Sequence, residues 1–266
     1  MIHHYTTIDN LALILESGKI RFTRLDLLDD IKEVYGLDNP TWKFDKAIFI
    51  SSWTEDEEEN IPLWKMYASV TNGVRITMSP NMFRKNLIKG FEESNHGMNG
   101  DIYSPFTKEE HLYNGKHFII NNFSGEDFYK KVDYKTDPDI IKFYRSVIKR
   151  TDNGIEVDRL WDLGKIKNKK WAFQKEVRFT IYTKSLNPKF KDDPSHQYDD
   201  EHISQWFDNP DRYIDVPLAE EALKNMTITL APCVSDAQRV IVKSLIQTFK
   251  LQNTFKESEL KGYIRK

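Results

Sequence analysis

The order of strand-like and helix-like segments limits the folds that this chain can adopt. Strand-like runs occur at "HHYT", "KIRFT", "KAIFISSW", "NGVRITM", "EVRFTIY" and "MTITLAP". Helix-like segments separate only some of these runs, so the regular alternation of a doubly wound sheet is missing. The order predicts an α+β fold in which a single domain spans residues 1–266 and carries a mainly helical insertion at about 80–160.

Local signals mark the ends of several elements. Thr6 or Thr7 can cap a helix that Gly18 would stop, and Ser235 and Gln238 have the spacing of a capping box. In the middle of the chain, "MFRKNLIKG" and "TDPDIIKFYRSVIKR" are predicted helical. The second of these middle helices would be capped by Asp137.

Two polar segments are predicted to be loops. Residues 186–213 are rich in Pro, Asp, Asn and His and are predicted to be a long loop. The acidic run at residues 57–59 is predicted to be a solvated loop.

Charge and composition exclude several classes of protein. The formal net charge of −2 gives no overall attraction to nucleic acid or anionic membranes. The single cysteine, Cys233, excludes a disulfide framework and a thiolate zinc site within one chain. There is no signal-peptide pattern after Met1 and no apolar run of about 20 residues, so we expect a soluble, cytoplasmic protein with no membrane partner. A local basic run remains, formed by Lys165, Lys167, Lys169 and Lys170.

Motifs of several enzyme classes are missing from the sequence. It contains no Gly-rich phosphate loop, no His-Glu-x-x-His helix and no Gly-x-Ser-x-Gly elbow. None of the seven histidines is spaced from another by three or four residues on a convincing helix face. The sequence therefore predicts no metal site.

The run "EVRFTIY" raises the main question about chemistry. Its alternation predicts a half-buried strand on which Glu176 and Arg178 point to one side. A salt bridge on a surface strand explains this pair, and so does a catalytic carboxylate at a strand end.

Other candidate groups leave similar alternatives open. His4 is either a buried histidine bonded to the backbone or a neutral imidazole that binds a ligand hydroxyl. Trp64 and Tyr67 lie three apart on a short predicted helix, so they would share a face that belongs to the core or stacks on a heterocycle.

Four blocks of the chain, taken in order, resemble a bacterial family named domain of unknown function 2971 (DUF2971). The blocks are "HHYTTIDNLALILESG", "FISSWTEDEEENIPLWKMYASVTNGVRI", "KKWAFQKEVRFTIY" and "ITLAPCVSD", and they cover most of the chain. The likeness is carried by the His-Tyr-Thr start, the Trp-x-x-Tyr helix and the Trp-x-x-x-x-Glu-x-Arg strand. The family name implies no activity.

The same blocks also resemble ADP-ribosyltransferases of the His-Tyr-Glu type. In those enzymes a short strand ends in His, an apolar strand leads into a helix with a Tyr, and a Glu opens a later strand. These positions would be His4, Tyr67 and Glu176 here, on a split β-sheet core. His4 is followed by Tyr5 instead of the Gly common in such enzymes, and the long interval before Glu176 requires an insertion.

The second resemblance implies that NAD is the substrate and that its bond between nicotinamide and ribose is cleaved. Glu176 would hold a ribose hydroxyl and offset positive charge, His4 would fix the other ribose, and Tyr67 would clamp the nicotinamide. The implied NAD-binding residues are His4, Tyr5, Thr6, Ser52, Trp64 and Tyr67.

The resemblance also implies an acceptor for the ADP-ribose. Gln174 matches a Gln-x-Glu variant of the family loop and would meet the acceptor, a nucleic acid or a protein. Arg178, Lys169 and Lys170 complete the expected substrate-binding set. Bacterial enzymes of this type often act as toxins or phage-defence effectors.

Two other functions compete with this interpretation. The chain could be a binding or regulatory module that keeps the fold without the reaction. It could also be a metal-dependent hydrolase or nuclease that uses Asp29, Asp30 and Glu33.

Overall fold

The computed structural model describes residues 1–34, 37, 43–89, 100–112, 117–121, 123, 127–151, 154–185, 208–252 and 255–265. The α-helices in these ranges are α1 (Ile8–Ser17), α2 (Phe44–Ala47), α3 (Ile61–Leu63), α4 (Lys108–Leu112), α5 (Asp137–Val147), α6 (Glu220–Lys224) and α7 (Asp236–Thr248). A π-helix, Trp64–Ala68, continues α3, and 3₁₀ helices are formed by Leu25–Leu27, Ile31–Val34, Leu160–Asp162 and Lys169–Gln174. Across these ranges, none of the helices combines the length and apolar composition that a bilayer crossing requires.

Most of the strands pair antiparallel. They are β1 (Ile2–Thr7), β2 (Lys19–Arg24), β3 (Ile48–Thr54), β4 (Gly73–Met78), β5 (Asn86–Ile88), β6 (Ile102–Ser104), β7 (His117–Ile119), β8 (Tyr129–Lys131), β9 (Asp133–Lys135), β10 (Ile148–Thr151), β11 (Gly154–Val157), β12 (Ile166–Asn168), β13 (Glu176–Ser185), β14 (Tyr213–Pro217), β15 (Thr227–Leu230) and β16 (Phe255–Lys256). The main sheet has the order β14-β2-β3-β1-β4-β15-β16, and β13 also pairs with β3. The structure confirms the prediction that helices and strands are mixed without the alternation of a doubly wound sheet, and it shows that the sheet is mostly antiparallel.

Helix ends follow the local sequence signals. The Thr7 side chain accepts a hydrogen bond from the backbone N–H of Asn10 at 3.2 Å, and Gly18 ends α1 with a φ of +63°. Glycine takes this left-handed conformation without a steric penalty. Ser235 and Gln238 form the predicted capping box at the start of α7.

Strand β13 is covered on both faces. Val177, Phe179 and Ile181 pack in the main core. On the opposite face Tyr182 packs in a second core with residues of α5 and β12, and Arg178 has no exposed surface. The prediction of a half-buried strand is therefore wrong, because α5 and β12 add a layer that the local alternation does not reveal.

Strand β3 changes partner along one edge, and this opens a split in the sheet. Its Phe49 and Ile50 pair with β2, whereas Thr54 pairs with His3 of β1. In the ladders of the described strands, residues 51–53 have no partner on this edge, although all three pair with β13 on the other. Their backbone groups on the split edge are available to side chains or to a ligand.

Arg178 joins two separate segments to β13. Its Nη1 and Nη2 bind the Glu33 carboxylate at 2.5 and 2.9 Å, and its Nε binds Glu176 Oε1 at 2.6 Å. Nη1 also donates to the carbonyl of Gly164 at 2.8 Å. Gly164 has a φ of +75°, and a Cβ there would lie 3.2 Å from the side chain of Ile48. The ion pair with Glu33 therefore fixes the 3₁₀ helix Ile31–Val34 against the strand, and the hydrogen bond to Gly164 fixes the turn before β12.

The segment at 80–160 differs from the predicted insertion. Its described residues contain β5 to β11 and, as α-helices, only α4 and α5, so the expectation of a mainly helical segment is wrong. "MFRKNLIKG" contains β5, which pairs with β6 and buries Ile88. Strand pairing and burial here outweigh helix propensity.

Two further predictions on loops and caps are changed by the structure. The N-cap position of helix α5 is Thr136 instead of Asp137, and the Thr136 side chain makes no capping hydrogen bond. In the acidic run at 57–59, Glu59 accepts hydrogen bonds from Trp64 Nε1 at 2.9 Å and Ser258 Oγ at 2.5 Å, so this carboxylate anchors packing and is not simply solvated. Of the predicted loop 186–213, residues 186–207 lie outside the described residues.

The buried ion pairs of Arg178 give a first prediction. Replacing Arg178 with Met leaves two buried carboxylates with much less compensating charge, so the free energy of unfolding should fall by about 3–5 kcal/mol. Urea denaturation followed by tryptophan fluorescence measures this change. The matched control is Arg21→Met, which breaks the exposed pair with Asp215 and should cost less than about 1 kcal/mol. Equal, small losses in the two variants would contradict the structural role of Arg178.

Candidate functional site

A cavity of about 300 Å³ opens at the split in the sheet. Its walls include residues 3–5 of β1, residues 50–54 of β3, Arg21 and Thr23 of β2, and the side chains of Tyr67, Gln174 and Glu176. These segments meet because β1 and β2 pair with opposite ends of β3. The volume lies at the lower end of the range of about 300–1,000 Å³ that is usual for small-molecule sites.

His4 is oriented by the free edge of β3. Its Nδ1 lies 2.9 Å from the carbonyl oxygen of Ser52. A carbonyl only accepts, so Nδ1 carries the proton and Nε2 has a free lone pair. Burial lowers the pKa of His4, and the bond to Ser52 opposes this only in part. The imidazole is therefore neutral near pH 7 and can accept a hydrogen bond from a ligand hydroxyl.

Glu176 is a buried carboxylate that stays ionised. It lies at the start of β13, where Arg178 Nε and Lys167 Nζ bind it at 2.6 and 3.1 Å. Burial alone would raise the pKa of Glu176, but the attraction of Arg178 and then of Lys167 lowers it to about 2. At neutral pH this group is an anion and not a proton donor.

Tyr67 connects two walls of the cavity. Its hydroxyl donates to the carboxylate of Asp29 and accepts from Gln174 Nε2, which lies 2.6 Å away. Burial and the Asp29 carboxylate raise the pKa of Tyr67 far above its usual value. The phenol therefore remains protonated. Tyr67 is 38% exposed and lines the cavity.

Lys167 is a site residue that the sequence analysis missed. Its Nζ lies 3.1 Å from Glu176, 3.3 Å from Glu33 and 3.6 Å from Asp29, and 4.8 Å from the ring centre of Trp171. In the sequence it belongs to a basic run, and no spacing signal separates it from its exposed neighbours. Only the fold shows that it compensates buried carboxylates.

Six of the predicted site residues line this cavity. They are His4, Tyr5, Ser52, Tyr67, Gln174 and Glu176. Thr6 does not line it: this residue is buried, and its Oγ1 accepts from Asn10 Nδ2 at 3.1 Å.

Trp64 is also outside the cavity. It is fully buried and packs edge-on against Tyr5, with ring centres 4.8 Å apart. The prediction that Trp64 and Tyr67 share a face is wrong, because both lie in a π-helix. Its turns are wider than those of an α-helix, so residues three apart are not stacked above one another.

The predicted cations of the substrate site are not in the cavity walls. Arg178 is fully buried against Glu33 and Glu176, so it acts on the site only through Glu176. Lys169 and Lys170 are exposed on the 3₁₀ helix that precedes β13.

The acidic trio proposed for a metal is not arranged as a metal site, because Asp29 and Glu33 both lie close to Lys167. Glu33 is bound by Arg178 and Lys167, and the backbone N–H of Lys32 occupies one oxygen of Asp30. In the part of the chain that the structure describes, no three His, Cys, Asp or Glu side chains are grouped so that they could hold a metal ion. The described residues therefore offer no support for a metal-dependent hydrolase or nuclease.

Comparison with known proteins does not assign a function to the cavity, so its function is inferred from the side chains that line it. No family model matches the chain, and no curated protein or solved structure is significantly similar to it. The two family resemblances carried by short motifs therefore stay predictions.

The low pKa of Glu176 gives a prediction for stability. The pKa is about 2 in the folded protein against an ordinary value of 4.5, so this carboxylate stabilises the fold above pH 4.5 and stops doing so as the pH falls towards 2. Between these two pH values the unfolded chain binds a proton at Glu176 that the folded protein does not bind. Each pH unit of acidification therefore lowers the free energy of unfolding by up to about 1.4 kcal/mol. Glu176→Gln lacks this uptake, so urea denaturation at pH 7, 4 and 3 should show the two proteins approaching each other. A constant difference would contradict the assignment.

Proposed function

We propose that the protein is an NAD-dependent ADP-ribosyltransferase that modifies a nucleic acid or protein acceptor. The observation that carries the proposal is the convergence of His4, Tyr67 and Glu176, which come from three distant parts of the chain, on one cavity in the split of the sheet. An imidazole, a phenol and a carboxylate are the groups that the resemblance to His-Tyr-Glu-type ADP-ribosyltransferases implies for this reaction.

The charge at the cavity suits the cleavage of NAD. In this reaction the bond between ribose C1′ and the nicotinamide nitrogen breaks, its electron pair leaves with nicotinamide, and C1′ becomes an oxocarbenium-like centre. Three carboxylates, Asp29, Glu33 and Glu176, face two cations, Lys167 and Arg178. The formal charge of this group is therefore −1, which favours a positive centre beside Glu176.

Neutral groups would hold the remaining parts of the substrate. His4 Nε2 can accept from a ribose hydroxyl, while the Nδ1 bond to Ser52 fixes the ring. The Tyr67 ring can lie against the nicotinamide. A cavity of about 300 Å³ would enclose this end of NAD, and the adenosine would extend beyond it.

One observation favours a second candidate, a binding module without catalysis. The Glu176 carboxylate is already bound by Arg178 and Lys167. These two ion pairs would let the cavity bind a ligand without promoting bond cleavage. Such a module would bind NAD or another ligand and leave it intact.

A turnover assay distinguishes the two candidates. The wild-type protein should release nicotinamide from NAD, and Glu176→Gln should lower the rate about a hundredfold or more, because the variant loses the charge that stabilises the transition state. NAD should also raise the melting temperature of both proteins, since it binds only the folded state.

Glu33→Gln is the matched control. It makes the same chemical change against the same two cations and removes the same unit of charge from the group, but Glu33 does not line the cavity. It should therefore lower stability, while turnover should fall by no more than about tenfold, far less than in Glu176→Gln. NAD binding without release of nicotinamide would select the binding module. Absence of both binding and turnover would end the proposal. Growth arrest on expression, relieved by Glu176→Gln, would support a toxin or defence role.

A further inference from the structure

Strand β2 presents two polar side chains to the cavity at the split in the sheet. Arg21 and Thr23 both line the cavity. They lie two apart on the strand, so they share a face, and their neighbours Ile20 and Phe22 face the main core. The part of the cavity wall that β2 forms is therefore a guanidinium and a hydroxyl.

Arg21 is oriented by strand β14. Its Nε and Nη2 donate to the two carboxylate oxygens of Asp215 at 2.9 and 3.0 Å, and its Cζ lies 3.8 Å from the ring centre of Tyr213. Tyr213 is the cross-strand partner of Thr23, so this stacking draws the guanidinium along β2 towards Thr23. Arg21 is thus held in one position although its side chain is 55% exposed.

Both residues keep hydrogen-bond donors that the fold does not use. A guanidinium has five N–H groups, and the pair with Asp215 uses only two of them. Among the residues that the structure describes, the remaining N–H groups of Arg21 and the hydroxyl of Thr23 have no hydrogen-bond partner. The two terminal nitrogens of Arg21 therefore still offer a pair of parallel N–H groups, which can bind two oxygens of an oxyanion.

Arg21 also lies apart from the acidic side of the cavity. The other charged side chains in the cavity walls form one cluster, in which Asp29 and Glu176 lie close to Lys167. Glu176 belongs to β13, which pairs with the opposite edge of β3 from β2, so the backbones of β13 and β2 are about two strand spacings, roughly 10 Å, apart. A ligand that reaches both walls meets carboxylates at one end and a guanidinium at the other.

We propose that Arg21 and Thr23 form a subsite for a phosphate group of the molecule that binds in the cavity. A phosphate suits this pair better than a carboxylate, because two of its oxygens can accept from the guanidinium while a third accepts from the hydroxyl. A carboxylate has only two oxygens. If the molecule is NAD, as in the proposed function on which this last step rests, the group is its pyrophosphate, which follows the ribose beside Glu176.

Nicotinamide compounds with and without phosphate test the subsite by isothermal titration calorimetry. Nicotinamide riboside has no phosphate, and nicotinamide mononucleotide adds one to the same ribose. The wild type should bind the mononucleotide about tenfold more tightly than the riboside, because charge-assisted hydrogen bonds to the phosphate are added. Arg21→Met should remove most of this difference and leave the affinity for the riboside within about twofold. The variant should fold, since it loses only an exposed ion pair and a surface stacking contact.

A second variant and a matched control complete the titration. Thr23→Val keeps the shape of the side chain without its hydroxyl and should weaken binding of the mononucleotide about fivefold, with the riboside unchanged. Lys19→Met removes an equal charge from the same face of β2, but Lys19 does not line the cavity. Its affinities for both compounds should therefore stay within about twofold of the wild type.

The subsite and the transferase fail in different ways. Nicotinamide release by the wild type, together with unchanged affinity of Arg21→Met for the mononucleotide, would overturn the subsite and leave the transferase in place. Inorganic pyrophosphate and AMP probe the subsite without nicotinamide. If they bind the wild type but not Arg21→Met, while the riboside does not bind and NAD is not cleaved, the transferase is overturned and the subsite stands. The subsite is also overturned if no phosphate compound binds, or if succinate, the carboxylate probe, binds more tightly than pyrophosphate.

Discussion

The ion pairs of the buried Arg178 guanidinium are the interactions on which the packing of the second core against β13 depends. A cation with no exposed surface is tolerated only when it is paired and fully hydrogen-bonded, and here Glu33, Glu176 and the Gly164 carbonyl supply its partners. These contacts attach the second layer, with α5 and β12, to the long strand β13. They also place the Glu176 carboxylate at the cavity wall, so the stability of the fold and the position of the candidate catalytic group have one physical origin.

The cavity itself follows from the pairing of β3. Because β1 and β2 pair with opposite ends of this strand, the stretch between them keeps free backbone groups on one edge. The carbonyl of Ser52 is then available to His4, which fixes the imidazole tautomer. A regular sheet would have used that carbonyl in a ladder and would have closed the cavity. The same irregularity therefore creates the site and orients one of its side chains.

Charge compensation limits the chemistry of Glu176. A carboxylate with a pKa of about 2 is a weak general base near neutral pH, where efficient proton transfer requires a pKa closer to 7. The group is better suited to electrostatic stabilisation of a positive centre. Its neighbours keep it ionised in a buried position, which an isolated carboxylate could not maintain. This favours a reaction with a cationic transition state over one that begins with proton abstraction.

Local patterns in the sequence predicted the elements whose signals lie within a few residues, such as the Thr7 and Gly18 ends of α1 and the presence of a strand at β13. They also indicated His4, Tyr67 and Glu176 as candidates, through motif order. They could not predict that Lys167 compensates Glu176, since nothing in the spacing of residues far apart in the chain encodes their distance in space. Burial of both faces of β13 and the separation of Trp64 from Tyr67 were likewise beyond local patterns. Those features arise when distant segments pack, because only then are charges paired, faces covered and helical turns widened.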